Sequence, residues 1–205
     1  NDRIGKDFTY RVGFNLSDSQ AKITKYDLNP DGNIGDHYVG EKIGEIWGFV
    51  TDGFYSTDEE AAGVDNSDIW GGKWLAGDVR YKNLNGDKTA DGKDIISKGH
   101  SKLQDPGDRK IIGNNTARYN YGISLSAEYK NFDFSCLMQG VGKRDLMLGG
   151  AYFWGFTDEW RTPTTEQLDY WTPDNPNAYY PRQRFGGGGN FQSQTKYLQN
   201  GAYMR

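Results

Sequence analysis

Residues 119–129, YNYGISLSAEY, alternate without a break: Tyr119, Tyr121, Ile123, Leu125, Ala127 and Tyr129 fall on one parity, Asn120, Gly122, Ser124, Ser126 and Glu128 on the other. A period of two marks a strand with two unlike faces. After a tight turn at Lys130-Asn131, Phe132, Phe134, Cys136 and Met138 resume the apolar parity opposite Asp133, Ser135 and Gln139, with Leu137 as the break. The pattern predicts a hairpin over 119–140. A second run, DFTYRVGFNLS at 7–17, sets Phe8, Tyr10, Val12, Phe14 and Leu16 against Thr9, Arg11, Gly13, Asn15 and Ser17. With a turn at Ser17-Asp18-Ser19-Gln20 and a weaker strand at 21–28, it predicts another hairpin within 1–28. A further strand is expected to start within 196–205.

Each strong arm is as long as a tilted membrane-spanning strand requires, and aromatics gather at its ends, Tyr119 and Tyr121 at one, Tyr129 and Phe132 at the other. The same alternation suits a soluble β-sandwich with one face in its core. The loop plan bears on that choice. Residues 29–118 and 141–195 are long polar excursions rich in Gly, Asp and Asn, and they alternate with the short turns. Outer-membrane barrels place short turns on the periplasmic side and long loops outside. Residues 7–17 are then expected to run inward, 21–28 outward, 119–129 inward and 132–140 outward. The apolar face would meet lipid. The expected fold is all-β, a portion of an antiparallel transmembrane barrel with long extracellular loops.

Composition agrees with β-structure and removes other classes. Only 35% of the 205 residues are hydrophobic, yet 15% are aromatic and 28 are Gly, which favours strands joined by turns over helices. A net charge of −4 with no concentrated basic stripe excludes a nucleic-acid partner. One cysteine, Cys136, allows no internal disulfide, and His37 and His100 lie too far apart to announce a zinc site. No apolar run reaches the length of a membrane-spanning helix.

Six blocks, in order, carry a resemblance: YVGEKIGEIWGFVTDGFY (38–55), GDVRYKNLNGD (77–87), RKIIGN (109–114), YNYGISLSAEYKNFDFSCLMQGVGKRD (119–145), LDYWTPDNPNAYYPR (168–182) and YLQNGAYMR (197–205). Together they resemble the SusC/RagA family of TonB-linked outer-membrane transporters. The resemblance implies a large barrel with an N-terminal plug, energised through TonB, working beneath a SusD-like surface lipoprotein that captures glycans or peptides. It implies a transporter in the bacterial outer membrane, not an enzyme. The chain is expected to be a piece of a longer protein, contributing barrel wall and outer loops. The alternative from the residues alone is a soluble β-sandwich carbohydrate-binding module.

Two features carry candidate chemistry. In NLNGDKTADGKD, Asn83, Asn85, Asp87, Asp91 and Asp94 occupy positions 1, 3, 5, 9 and 12 of a calcium loop, where oxygen side chains wrap one hard cation. Against calcium stand Asn83 where the family resembled here usually has Asp, and Lys88 where the sharp turn wants Gly; the plainer reading is a loop held by Asx turns. The stretch 95–108 reads as an insertion relative to that family. Trp47, Trp70, Trp74, Trp154, Trp160 and Trp171 all fall in the outer segments, where they could stack on sugar rings, touch a partner, or anchor loops. GGGG at 186–189 reads as a flexible loop, Cys136 as a small hydrophobe, and the acidic runs Asp58-Glu59-Glu60 and Asp158-Glu159 as polar loop residues.

Overall fold

The structure, a computed structural model, describes residues 2–157, 161–185 and 187–205. In chain order the strands are β1 (Asp2–Ile4), β2 (Phe8–Ser17), β3 (Glu45–Phe49), β4 (Thr51–Phe54), β5 (Val64–Asp65), β6 (Val79–Tyr81), β7 (Asp94–Ile95) and β8 (Arg109–Asn114). They continue as β9 (Arg118–Tyr129), β10 (Phe132–Lys143), β11 (Asp145–Met147), β12 (Leu198–Asn200) and β13 (Tyr203–Met204). Short helices α1 (Asp58–Ala62) and α2 (Ala151–Trp154) interrupt the two excursions. Thr57 caps α1, its Oγ1 accepting the Glu60 N–H at 3.1 Å.

The two alternating runs become neighbours in one antiparallel sheet of order β1-β2-β9-β10-β13. Register is set by the pleat: Val12, Leu125 and Cys136 stand in one row, Phe14, Ile123 and Met138 in the next. A slip by one residue would turn every apolar side chain to the opposite face, so three independent alternations specify one alignment. The sheet is open, with β1 and β13 at its edges.

Two expectations need correction. Residues 21–28 form no strand and do not pair with β2. Lys25 interrupts the apolar parity, and the segment instead bonds to 40–43, Ile23 N–H donating to Glu41 O at 2.9 Å and Ile43 N–H to Ala21 O at 3.0 Å. The hairpin partner of β2 is β1, across the turn at Gly5, whose φ is 66°. Because β2 lies antiparallel to β9, 7–17 and 119–129 do not both run inward as expected. In the last segment, 196–205, a 3-10 turn at Thr195–Tyr197 precedes β12, and β13, which pairs with β10, follows a break at Gly201.

The corrected topology sorts the connections by end. The turn at 5–7 lies beside the turn at 130–131, where Lys130 N–H donates to Asp7 O at 3.2 Å. Both long excursions, 18–117 and 144–202, leave from the other end. There they fold together around one core containing Phe49, Phe54, Val79, Tyr81, Trp154 and Tyr197. Each fully buried ring of this kind contributes roughly 1.5–3 kcal/mol relative to exposure, which explains how segments this polar hold a fixed form.

Candidate functional site

The first functional surface is the apolar face of the sheet. Phe8-Tyr129-Phe132, Tyr10-Ala127-Phe134, Val12-Leu125-Cys136 and Phe14-Ile123-Met138 form successive three-strand rows. Among the described residues no second sheet lies over them, and Val12, Phe14 and Phe134 are each 60% exposed or more. The covered core that a β-sandwich module requires is therefore missing from this face. β2, β9 and β10 have 10, 12 and 12 residues, enough to cross a bilayer core at the tilt of a barrel strand. Cys136 is a half-buried member of this face.

The opposite face carries Thr9-Glu128-Asp133, Arg11-Ser126-Ser135 and Asn15-Gly122-Gln139, so polar groups share one side over the whole sheet. Leu137, the break in the pattern, stands on this side and is exposed. At the outer end Arg118 Nη2 donates to Asp18 Oδ2 at 2.6 Å, tying the exit of β2 to the entry of β9.

The second surface is the loop body. Segment 184–197 is bonded into 51–81: Asn190 Oδ1 accepts Val79 N–H at 2.8 Å, Gln194 Oε1 accepts the Thr51 hydroxyl at 3.0 Å, and Arg184 pairs with the buried Asp78 carboxylate. Burial pushes the Tyr55 hydroxyl up to about 12, and holds Tyr81 and Tyr197 well above the ordinary tyrosine value. Clefts open on this body, two of them lined by charged side chains from distant segments. One, of about 610 Å³, is lined by Asp52, Glu60, Arg80, Lys82 and Asp94, whose charges largely compensate one another. The other, of about 570 Å³, sets Tyr170, Trp171 and Arg182 against Asp58 and Glu59 of α1.

The predicted site residues separate on this frame. Trp154 and Trp171 are buried members of the core. Trp47 is half-buried, and its indole N–H donates to the Tyr38 hydroxyl at 3.1 Å. Trp74 donates to Trp70 O at 3.2 Å and packs edge-on against Tyr55 and Tyr81. Trp70 lies beneath the Arg184 guanidinium. These rings are anchors of the loop body. Trp160, with Asp158 and Glu159, lies outside the described residues. Of the glycine run, Gly186 lies outside the described residues, while Gly188–Phe191 is a 3-10 turn and a Cβ at Gly189 would enter the Trp74 ring.

The calcium-like loop is closed by its own groups. Lys88 Nζ lies 2.7 Å from Asp94 Oδ1, Asn85 Nδ2 donates to Asp87 Oδ2 at 2.9 Å, and Asn83 Oδ1 accepts Gly86 N–H at 2.6 Å. No cluster of three His, Cys, Asp or Glu suited to a metal occurs among the described residues. Among the described residues no hydrogen bond joins the Asp91 side chain to the other four. Buried Asp108 instead orders the loop from below, accepting the N–H groups of Leu84 at 2.6 Å and Ser97 at 2.7 Å. Asp78, Asp108, Asn190 and Gln194 had no signal in the sequence, since each is a single polar residue in a polar segment.

Comparison with known proteins places this geometry. No protein-family model matches the chain. TonB-dependent receptor P3 of Formosa agariphila is 26% identical over 221 residues, an alignment covering 98% of this chain and 19% of the receptor. The solved structure of the RagAB peptide transporter superposes with a TM-score of 0.62 at 17% identity, covering all of this chain and 20% of that one. The RagAB peptide importer in its closed-closed state gives 0.58, also at 17% identity and with the same coverage. The chain thus spans about a fifth of the length of the proteins it matches. Sequence and fold together bear out the resemblance to SusC/RagA-like TonB-dependent transporters, of which this chain is similar to one stretch of barrel wall with its loops.

Proposed function

We propose that this chain supplies barrel wall and extracellular loop body to a TonB-dependent outer-membrane transporter that imports glycans or peptides with a SusD-like surface lipoprotein. The observation that carries the reading is the three-strand apolar face, continuous in register and uncovered, with short turns at one end and packed loops at the other. Lipid covers such a face without a second sheet, and the backbone groups that β2, β9 and β10 turn toward one another are paired strand to strand. The open edges at β1 and β13 pair with neighbouring barrel strands of the whole transporter.

The polar face then lines the lumen, and the loop body overhangs its outer mouth. Its interlocked core holds the two long excursions as a fixed rim, which suits docking of the lipoprotein. The Tyr170–Arg182 cleft combines aromatic, cationic and acidic groups at the rim surface and is our candidate contact for substrate or lipoprotein. No chemical step is assigned, because transport needs binding and passage only. Plug and TonB contact belong to other parts of the transporter.

The test is depth-dependent quenching in the full-length transporter labelled at Ile123 or at Ser124. Lipid-borne quenchers reach position 123 and water-borne quenchers reach 124 if the reading holds. Failure of lipid to reach 123 would mean that protein covers the face.

A further inference from the structure

We propose that the lipid face holds one phospholipid of the inner leaflet at a fixed place, with an acyl chain in a groove over Ala127 and the phosphate at the Lys130 ammonium. The proposal rests on the wall reading above and goes beyond it, because a lipid-facing wall needs no particular lipid site.

The groove follows from one small residue. In the row Tyr10-Ala127-Phe134 the central strand offers a methyl between two large rings, whereas Leu125 and Tyr129 fill the rows on either side. The result is a depression of about 390 Å³ whose floor is Leu125 and Ala127. Phe8, Tyr10 and Val12 of β2 form one wall, with the first two rings stacked 6.0 Å apart, and Phe134 of β10 forms the other. A cleft open along its length, between rings on neighbouring strands, takes a flexible chain better than a bulky side chain.

A cation stands at the turn end of this groove. Lys130 follows Tyr129 on the floor strand, and its ammonium lies 5.3 Å from the centre of the Tyr129 ring. Among the described residues no carboxylate pairs with it. Lys6 belongs to the adjoining turn, along with Asp7, whose backbone oxygen accepts the Lys130 N–H. The short-turn end is the periplasmic end of an outer-membrane barrel. An ammonium over an interfacial tyrosine, directly beyond an apolar groove, therefore complements an amphiphile with an anionic phosphate and an extended tail.

The test uses the full-length transporter purified in detergent and titrated with phosphatidylglycerol, with bound lipid counted by native mass spectrometry. The native protein retains one tightly held lipid. Ala127→Phe fills the groove and lowers its occupancy roughly tenfold, the equivalent of withdrawing a couple of methylenes from apolar contact. Lys130→Gln weakens retention while leaving the apolar wall unchanged. Equal lipid retention by Ala127→Phe and the native protein overturns the proposal, as does a protein chain cross-linking to Phe134 in its place. Lipid-borne quenching of a label at Ile123, measured on the same variants, separates the two failures: quenching with no held lipid rejects the groove alone, and no quenching rejects the wall.

Discussion

The Asn190 side chain bonds both ways across 111 and 112 residues of sequence, its oxygen accepting Val79 N–H at 2.8 Å and its amide donating to Asp78 Oδ1 at 3.0 Å. It lies in the second excursion and they lie in the first, so one buried amide joins the two. Asn190→Ala leaves a buried N–H without an acceptor, at a cost of about 1–3 kcal/mol. Hydrogen exchange on the full-length transporter should show faster exchange at 78–81 and 188–195 together, with the barrel strands unchanged. Faster exchange in only one of the two segments would contradict the interlock.

The ion pair beside it carries more. Asp78 is 1% exposed and also accepts the Leu75 N–H at 2.8 Å, so Arg184→Ala strands a buried carboxylate. Breaking such a pair from one side costs roughly 3–5 kcal/mol. The pair with Asp78→Asn added should lose less than the two single changes summed, because the shared interaction is counted once. Limited proteolysis within 70–80 and 180–195 reads the effect.

Alkaline pH should loosen the loop body before the barrel. Burial raises the Tyr55 hydroxyl to about 12, so the folded state keeps it neutral when the unfolded chain already ionises near the ordinary value of about 10. The stability it lends is fully present below pH 10 and is lost as the pH rises through about 12, an effect of about 3 kcal/mol for a shift of that size. Tyr81 and Tyr197 act in the same direction. A phenolate titration followed by ultraviolet absorbance should show these rings ionising with unfolding rather than independently of it.

Calcium should find the 83–94 loop already closed by the Lys88–Asp94 pair. Calorimetric titration of the native transporter at millimolar calcium is expected to give no heat from this loop. Asn83→Asp with Lys88→Gly adds a charge and removes the internal cation, and it should produce measurable binding. Heat from the native loop that Asp94→Asn abolishes would restore the metal.

Gly140 should tolerate no side chain. A Cβ there would meet Tyr203 O and the Tyr121 hydroxyl, where β10 joins β13. Gly140→Val should open that junction and lower the temperature at which the assembled barrel loses its compact gel mobility. The same change at exposed Gly5 lacks any such neighbour and serves to separate crowding from backbone strain.

Much of the wall was legible in order and parity. Ile123, Leu125, Val12, Phe14, Phe134 and Met138 were assigned to one face from alternation, and register places them together. The partner of β2 was not legible, because a turn-like Ser17-Asp18-Ser19-Gln20 and a weak alternation at 21–28 looked sufficient for a local hairpin. Pairing with β9, a hundred residues away, matches four apolar rows, which Lys25 prevents the local segment from doing. The tryptophans were legible as loop residues, but their burial depended on partners such as Tyr55, Gly189 and Arg184 from distant parts of the chain.

The sequence by itself determined which residues share a face, since a strand's side chains alternate whatever it pairs with. Only the tertiary structure decided which strands adjoin, which way β2 runs, and that two polar excursions form one body. Those outcomes rest on bonds such as Asn190 to Val79 and on the common burial of Phe49, Tyr81 and Tyr197, interactions that exist only once distant segments meet.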